Sequence, residues 1–130
     1  MLRPEDFFEL SRLTGAFADL FDGVSEVWAA VPRLQIVLEQ FFRTPGKVLG
    51  HVEPGAVLVH PESVYVGRGA RLESGAYICG PAYLGDDCCV RHGAYLRGNV
   101  MAGCGCVLGH ASEFKNALLL DETSAAHFAY

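Results

Sequence analysis

The chain has 130 residues, of which 51% are hydrophobic and 15 are glycines, and its net charge at pH 7 is −5. This length suits one globular domain with its own core, and the composition is typical of a chain rich in tight turns rather than a disordered one. The acidic charge argues against nucleic acid or an anionic membrane as a partner. No apolar run approaches the ~20 residues of a membrane-spanning helix, and MLRPEDFFEL is unlike a secretion signal. We therefore expect a cytoplasmic protein.

Residues 4 to about 43 are predicted to be helical. Pro4 and the acidic residues that follow it suit a first helical turn, and large apolar residues then recur at spacings of three and four. A second stretch, VSEVWAAVPRLQIVLEQFF, begins with Ser25 as a candidate cap and is interrupted by Pro32. We expect residues 1–46 to form a helical segment that packs on the end or flank of the remaining domain.

From Val52 the pattern changes to a period of six. One register is apolar throughout and mostly bulky: Val66, Leu72, Ile78, Leu84, Val90, Leu96, Ala102, Leu108, Phe114, Leu120 and Ala126. The register four places later is mostly small: Val64, Ala70, Ala76, Ala82, Cys88, Ala94, Val100, Cys106, Ser112, Leu118 and Ser124. Neither a helix, which repeats near 3.6 residues, nor a strand, which repeats near 2, gives this period alone.

Six residues fit one short strand followed by one tight turn. The bulky residue points inward from the strand and the small residue fits the crowded corner, which is the hexapeptide pattern of a β-helix with coils of about 18 residues. The fold class predicted for residues 47–130 is therefore mainly β, a parallel β-helix of hexapeptide repeats. A charge at Leu96 or Leu108 is expected to break the stack.

The sequence contains five cysteines, at Cys79, Cys88, Cys89, Cys104 and Cys106. Their spacing includes no CxxC pair and no Cys/His zinc pattern, and an odd number suits reduced cytosolic thiols. We expect small buried core residues rather than a zinc site, with Cys88 and Cys106 in the small inward register.

The position directly after each bulky residue is predicted to face outward. Arg97 and Lys115 occupy it 18 residues apart, so we expect them one above the other on one flat face. This pair is either a solvated basic face or a phosphate site, since Arg offers bidentate contacts and Lys a point charge. His127 belongs to a different face of the same chain. A neighbouring subunit in a threefold assembly would bring its own His127 onto the Arg97–Lys115 face.

His92 and His110 are also 18 residues apart and are predicted to stack at corners. The γ-class carbonic anhydrases bind zinc between subunits through histidines on this type of coil, so a metal is one interpretation. That family's pair of histidines five residues apart is not found here. Surface histidines are the favoured interpretation, and no metal site is expected.

The stretches AYLRGNV and GHASEFKNALLLDETSAAHFAY resemble the C-terminal left-handed β-helix of the bifunctional N-acetylglucosamine-1-phosphate uridyltransferase / glucosamine-1-phosphate acetyltransferase family. They resemble still more closely the shorter sugar-nucleotidyltransferase-like proteins that keep the β-helix without the nucleotidyl domain. The resemblance is specific over 95–130 and only repeat-level over 52–94. The family motif has an Arg after a leucine, E-x-K one coil on, and H-x-x-Y twelve residues after that Lys. These positions fall on Arg97, on Glu113 and Lys115, and on His127 and Tyr130.

This resemblance implies a left-handed coil, a homotrimer and a catalytic site. By analogy, Arg97, Lys115, Glu113 and Tyr130 form the substrate-binding site, in which Arg97 and Lys115 hold the sugar phosphate and Tyr130 contacts the acceptor. His127 is the general base for the attacking 2-amino group. An imidazole with an ordinary pKa near ~6.5 suits that task. The implied reaction is acetyl transfer from acetyl-CoA to an amino-sugar phosphate such as glucosamine-1-phosphate, in UDP-N-acetylglucosamine biosynthesis.

The sequence also departs from the family. Gly98 stands where the family tends to have proline, and Ala126 precedes the histidine in place of glycine. The family's later coils, which bind CoA, and its nucleotidyl signature have no counterpart, so uridyl transfer is not expected. We therefore expect the front part of a longer enzyme, truncated at its C-terminus and inactive without its donor site. The alternative is a non-catalytic trimeric β-helix that binds a sugar nucleotide or serves as an interaction module.

Overall fold

Thirteen short strands wind into a solenoid in the computed structural model, which describes residues 1–130. The strands are β1 (His51–Val52), β2 (Val57–Val59), β3 (Val64–Val66), β4 (Arg71–Leu72), β5 (Tyr77–Cys79), β6 (Ala82–Leu84), β7 (Cys89–Val90), β8 (Tyr95–Leu96), β9 (Val100–Ala102), β10 (Val107–His110), β11 (Glu113–Phe114), β12 (Ala117–Leu119) and β13 (Ser124–His127). Three strands and three corners complete one coil, so the chain makes about four coils.

Strands stack in parallel into three sheets. Sheet 1 has the order β1-β4-β7-β10-β13, sheet 2 has β2-β5-β8-β11, and sheet 3 has β3-β6-β9-β12. Every pair of neighbouring strands is parallel. The predicted fold class, a mainly β solenoid of hexapeptide repeats with a short helical segment before it, is confirmed.

The interior of the solenoid contains the two predicted registers up to the fourth coil. From Val66 to Phe114 every bulky position is buried, and from Val64 to Ser112 every small position is buried. Burying one such aliphatic side chain contributes roughly 1.5–3 kcal/mol. The stack of inward side chains is therefore the main source of the solenoid's stability.

The length of a coil changes along the chain. In sheet 1, His51 pairs with Arg71 twenty residues later, Arg71 with Cys89 eighteen residues later, and Val107 with Ser124 only seventeen residues later. The extra residues of the first coil lie at its corner between sheets 2 and 3, which holds the 3-10 turn Pro61–Ser63. The fourth coil is one residue shorter than the third, and the missing residue lies at the equivalent corner between sheets 2 and 3.

This shortening corrects the predicted inward positions of the last coil. Glu113 still pairs with Tyr95 at the eighteen-residue spacing, whereas Leu119 pairs with Ala102 at seventeen. Leu119 is buried in the solenoid core, and Ala125 packs against that core. The predicted inward residues Leu120 and Ala126 were therefore wrong by one position, as were the small-register residues Leu118 and Ser124.

The N-terminal helical segment is less regular than predicted. It contains α1 (Ala16–Phe21), α2 (Leu34–Phe41) and three short 3-10 turns over Pro4–Asp6, Leu10–Arg12 and Val27–Arg33. Gly15 and Gly23 adopt left-handed conformations with φ of 54° and 64° on either side of α1, which no continuous helix permits. The segment is two short helices joined by turns instead of a helix over 4–43.

The helical segment covers the outer face of sheet 3. Met101 projects outward from β9 and is only 1% exposed, because it packs among Leu20, Leu34 and Leu38. The ring of Tyr83 lies 5.1 Å from that of Phe41. The segment thus lies on one flank of the solenoid and not on its end. Neither of its helices is long enough to cross a bilayer.

Ion pairs cover part of the outer face of sheet 1. Glu53 pairs with Arg71, and one coil later Glu73 pairs with Arg91 at 2.9 Å. The amide of His92 donates to Glu73 at 2.9 Å, and this bond, followed by the Arg91 side chain, lowers the pKa of that carboxyl although desolvation opposes it. Each glutamate thus joins its own coil to the next one.

Candidate functional site

Two outward columns of side chains run along sheet 2. The register of its strands places Val57, Tyr77, Tyr95 and Glu113 in one column, and Val59, Cys79, Arg97 and Lys115 in the other. The amide of Arg97 donates to the carbonyl of Phe114 at 2.8 Å, so Lys115 follows directly above Arg97. The structure therefore places these two cations one coil apart on one flat face.

Arg97 already has two partners on this face. Its Nη1 lies 3.2 Å from Oε1 of Glu113, and its guanidinium carbon lies 5.9 Å from the centre of the Tyr95 ring. None of the ion pairs of the protein involves Lys115, which is exposed. The face therefore has one compensated cation and one uncompensated cation, an arrangement that can bind a phosphate.

A recess of about 400 Å³ lies beside these cations at the last complete coil. Arg97, Glu113, Lys115 and Tyr130 all line it. The remaining wall consists mostly of inward-facing side chains of the last coil: Phe114, Ala117, Leu119, Thr123, Ala125 and Ala129. The recess is therefore the open end of the solenoid core, with the two cations, Glu113 and Tyr130 at its rim. The structure therefore brings together four of the five residues that the sequence predicted for the site.

Backbone hydrogen bonds attach the chain before Tyr130 to the recess. The amide of Glu113 donates to the carbonyl of Ala129 at 2.8 Å, and the amide of Ala129 donates to Oγ of Ser112 at 3.1 Å. Ser112 is buried, so its hydroxyl is a fixed acceptor. Tyr130 itself is 89% exposed.

His127 does not line the recess. It lies in β13 of sheet 1, in register with His110, and its side chain is exposed. His110 in turn stacks on His92, with ring centres 5.6 Å apart and planes 13° apart, and its Nδ1 lies 2.7 Å from the carbonyl of His92. His127 therefore continues a histidine column at the corner between sheets 1 and 2, apart from the cations of sheet 2.

No group of three or more His, Cys, Asp or Glu side chains has the arrangement of a metal site. All five cysteines are free, and Cys88 and Cys106 are buried in the small register as predicted. The neighbouring Cys106 thiol and burial raise the pKa of the Cys88 thiol. Cys104 is exposed and Cys79 and Cys89 are half-buried, so the expectation of buried core cysteines was wrong for these three.

Tyr77 and Tyr95 were missed by the sequence reasoning. Both are outward residues of sheet 2, at 43% and 41% exposure, and their ring centres are 5.4 Å apart. The tripeptides Ala76-Tyr77-Ile78 and Ala94-Tyr95-Leu96 repeat one coil apart. Because an inward residue follows each tyrosine, alternation along a strand was a sufficient signal that the rings face outward.

No protein-family model matches this chain, and no curated protein matches its sequence. Any functional assignment therefore depends on the geometry of the recess and on the spacing of Arg97, Lys115 and His127.

Proposed function

We propose that this chain binds an amino-sugar phosphate such as glucosamine-1-phosphate and takes part in its N-acetylation by acetyl-CoA, a step of sugar-nucleotide biosynthesis. The observation that carries the proposal is the convergence of Arg97, Lys115 and Tyr130 on one recess. A volume of about 400 Å³ falls within the range of small-molecule sites.

The phosphate of the acceptor binds between the two cations. Lys115 supplies an uncompensated charge, and Arg97 supplies planar donors that can contact two phosphate oxygens. Glu113 and the Tyr95 ring hold the guanidinium from two sides. Tyr130, at the rim, offers a phenol hydroxyl to the sugar.

The reaction needs a base because the amine of the acceptor is protonated at neutral pH. His127 of a second copy takes this proton, since a neutral imidazole nitrogen accepts protons in general base catalysis. The amine nitrogen then bonds to the acetyl carbon of acetyl-CoA, and the resulting tetrahedral intermediate breaks its C–S bond. The CoA thiolate that leaves takes up the second proton that the nitrogen loses as it becomes the amide. A threefold assembly with heterologous contacts repeats this composite site at each interface.

One observation favours a second function, a non-catalytic trimeric β-helix that binds sugar nucleotides or acts as an interaction module. In the single chain His127 lies outside the recess and on another sheet. If no neighbouring copy supplies this residue, the cations bind an anionic sugar without a general base.

The test uses the longer protein that would include the CoA-binding coils, and it measures CoA release from acetyl-CoA with glucosamine-1-phosphate as acceptor, together with calorimetric titration of the acceptor alone. His127→Ala is expected to slow CoA release by about 10²–10⁴-fold, the usual contribution of a general base, without weakening acceptor binding. His92→Ala, two coils below in the same histidine column, is the matched control and should keep the wild-type rate.

The two functions give different outcomes. Equal rates in the wild type and His127→Ala would remove His127 from the mechanism. Acceptor binding that depends on Lys115, with no CoA release from any amino sugar, would establish the binding module instead of the enzyme.

A further inference from the structure

We propose that the outer face of sheet 2 binds a nucleoside diphosphate, with the base against Tyr77 and Tyr95 and the phosphates at Arg97 and Lys115. This inference rests on the anion-binding part of the proposed function and extends it to a nucleotide subsite. It is carried by the position of two exposed aromatic rings beside the two cations.

The two tyrosines form a notch for a planar group. Their ring planes are 84° apart, so one ring presents its face where the other presents its edge. Both rings keep more than two fifths of their surface exposed although they lie in the middle of the sheet. Nothing from the N-terminal helical segment reaches them, because that segment packs on sheet 3.

The tyrosine notch and the two cations are arranged in the order, and at the spacing, of the base and the phosphates of a nucleotide. Tyr77 lies one coil from Arg97 and two from Lys115, which is about 5 and 10 Å along the solenoid axis. Cys79 is the residue directly beneath Arg97, and its small side chain leaves room for a ribose between the ring and the guanidinium. The aromatic end of the face matches a base, and the cationic end matches two phosphates.

The chemistry of the face is selective for phosphorylated nucleosides over other anions. A base stacks on an aromatic side chain through its π-face, whichever base it is. Arg97 is held over the Tyr95 ring, so the guanidinium is oriented before any phosphate arrives. A second copy of the chain is the other occupant that an aromatic face can accept, and the experiment separates the two.

The test is calorimetric titration with UDP and, as a probe that lacks a base, inorganic pyrophosphate. UDP is expected to bind the wild-type protein about tenfold more tightly than pyrophosphate, which is the size of one stacking contact. Tyr77→Phe keeps this preference, Tyr77→Leu abolishes it, and Lys115→Met weakens the binding of both probes. Val57→Leu, on the same column one coil further from the cations, is the matched control and changes neither affinity.

Equal affinities for UDP and pyrophosphate in the wild type would overturn the proposal, as would an unchanged UDP preference in Tyr77→Leu. Light scattering reports whether Tyr77→Leu also dissociates an oligomer. If it does, nuclear Overhauser contacts between the uracil protons and the Tyr77 ring in the wild type decide: their presence supports the nucleotide site, and their absence assigns the face to a second copy.

The result is distinguishable from the test of the acetyl transfer. If the protein prefers UDP but releases no CoA, the proposed nucleotide site stands and the proposed acetyl transfer fails. If the protein acetylates glucosamine-1-phosphate but shows no preference for UDP, the proposed acetyl transfer stands and the proposed nucleotide site fails.

Discussion

Left-handed backbone conformations recur at the corner between sheets 1 and 2, one coil above another. In the first three coils the residue is a glycine, namely Gly55, Gly75 and Gly93, with φ of 92°, 85° and 75°. In the fourth coil it is Ala111, with φ of 52°. Glycine has no Cβ and accepts this conformation freely, whereas a residue with a Cβ does so at a cost of roughly 1–2 kcal/mol. The fourth coil therefore contains backbone strain that the earlier coils avoid.

Ala111→Gly is expected to stabilise the protein. Relief of the left-handed conformation gains roughly 1–2 kcal/mol, and the greater freedom of glycine in the unfolded chain opposes it by about 0.4–1 kcal/mol. The net rise in the free energy of unfolding is about 0.5–1 kcal/mol, measured by urea denaturation followed by circular dichroism. Ala94→Gly, at a buried alanine without a positive φ, is the control and should lose stability. A loss in Ala111→Gly as well would show that the corner is not strained.

The register of the strands could be predicted from the sequence from Val64 to Phe114 and not over the rest of the fourth coil. There the chain reads Ala117-Leu118-Leu119-Leu120, so a shift of one residue still places a leucine at the inward position. The apolar period of six therefore continues in the sequence, although the fourth coil is one residue shorter than the third. In the lower coils a charged residue, an aromatic residue or a glycine stands on at least one side of each bulky one, as Arg71 and Glu73 do beside Leu72. A shift of one residue would therefore have left a visible mismatch.

The deletion can be located at one residue. The corner of the third coil reads Arg97-Gly98-Asn99, and that of the fourth reads Lys115-Asn116. Asn99 and Asn116 have matching left-handed conformations, with φ of 52° and 50°, and Nδ2 of Asn99 donates to Oδ1 of Asn116 at 3.1 Å. The two asparagines are therefore equivalent, and the fourth coil lacks the counterpart of Gly98.

Insertion of one glycine between Lys115 and Asn116 is expected to be tolerated, because it restores the corner of the third coil without moving a strand. The free energy of unfolding should change by less than about 1 kcal/mol, the range of ordinary surface changes. The matched control is a glycine inserted between Val107 and Leu108, inside β10. It turns the fully buried Leu108 outward, which removes roughly 1.5–3 kcal/mol or more. Similar losses in the two insertions, measured by urea denaturation, would contradict the assignment.

The place where the helical segment docks could not be predicted from its own helical pattern. The decisive signal lies in the solenoid, where Tyr65, Tyr83, Met101 and Leu118 form an outward column of large side chains on sheet 3. Such a column requires a cover, because exposed apolar surface of this kind is unfavourable in water. Three members of this column, Tyr65, Tyr83 and Met101, directly precede inward residues of the predicted register, so alternation along a strand was a sufficient signal for them. Only Leu118 lies in the coil whose register the sequence left ambiguous.

The three faces of the solenoid have different roles. Sheet 3 is covered by the N-terminal helical segment, and sheet 1 has ion pairs between successive coils. Sheet 2 alone combines exposed aromatic rings with an unpaired lysine. The sequence predicted the two cations on one face and His127 on another, and the structure agrees with both placements. The proposed function joins the two through a second copy of the chain.

A site shared between copies makes a quantitative prediction for mixed assemblies. Lys115→Met removes a phosphate-binding cation from the chain's own face but leaves His127, which the chain would supply to the site of the neighbouring copy. His127→Ala does the reverse. The two variants are mixed in equal amounts, unfolded and refolded into trimers. Some interfaces then join, by chance, the intact Lys115 of one chain to the intact His127 of the next. Random heterologous assembly gives about one quarter of the interfaces this composition.

The measurement is CoA release with glucosamine-1-phosphate, made with the same longer protein that would include the CoA-binding coils. Each variant refolded alone should release little CoA, and the mixture should recover about one quarter of the wild-type rate per chain, since one interface in four is intact under random assembly. The control is the same mixture made with the double variant Lys115→Met/His127→Ala in place of His127→Ala; none of its interfaces has both residues, so no activity should return. No recovery in the experimental mixture, with an active wild type, would mean that each chain uses its own His127. The chain would then have to move β13 toward sheet 2 to react, because the two lie on different faces of the solenoid.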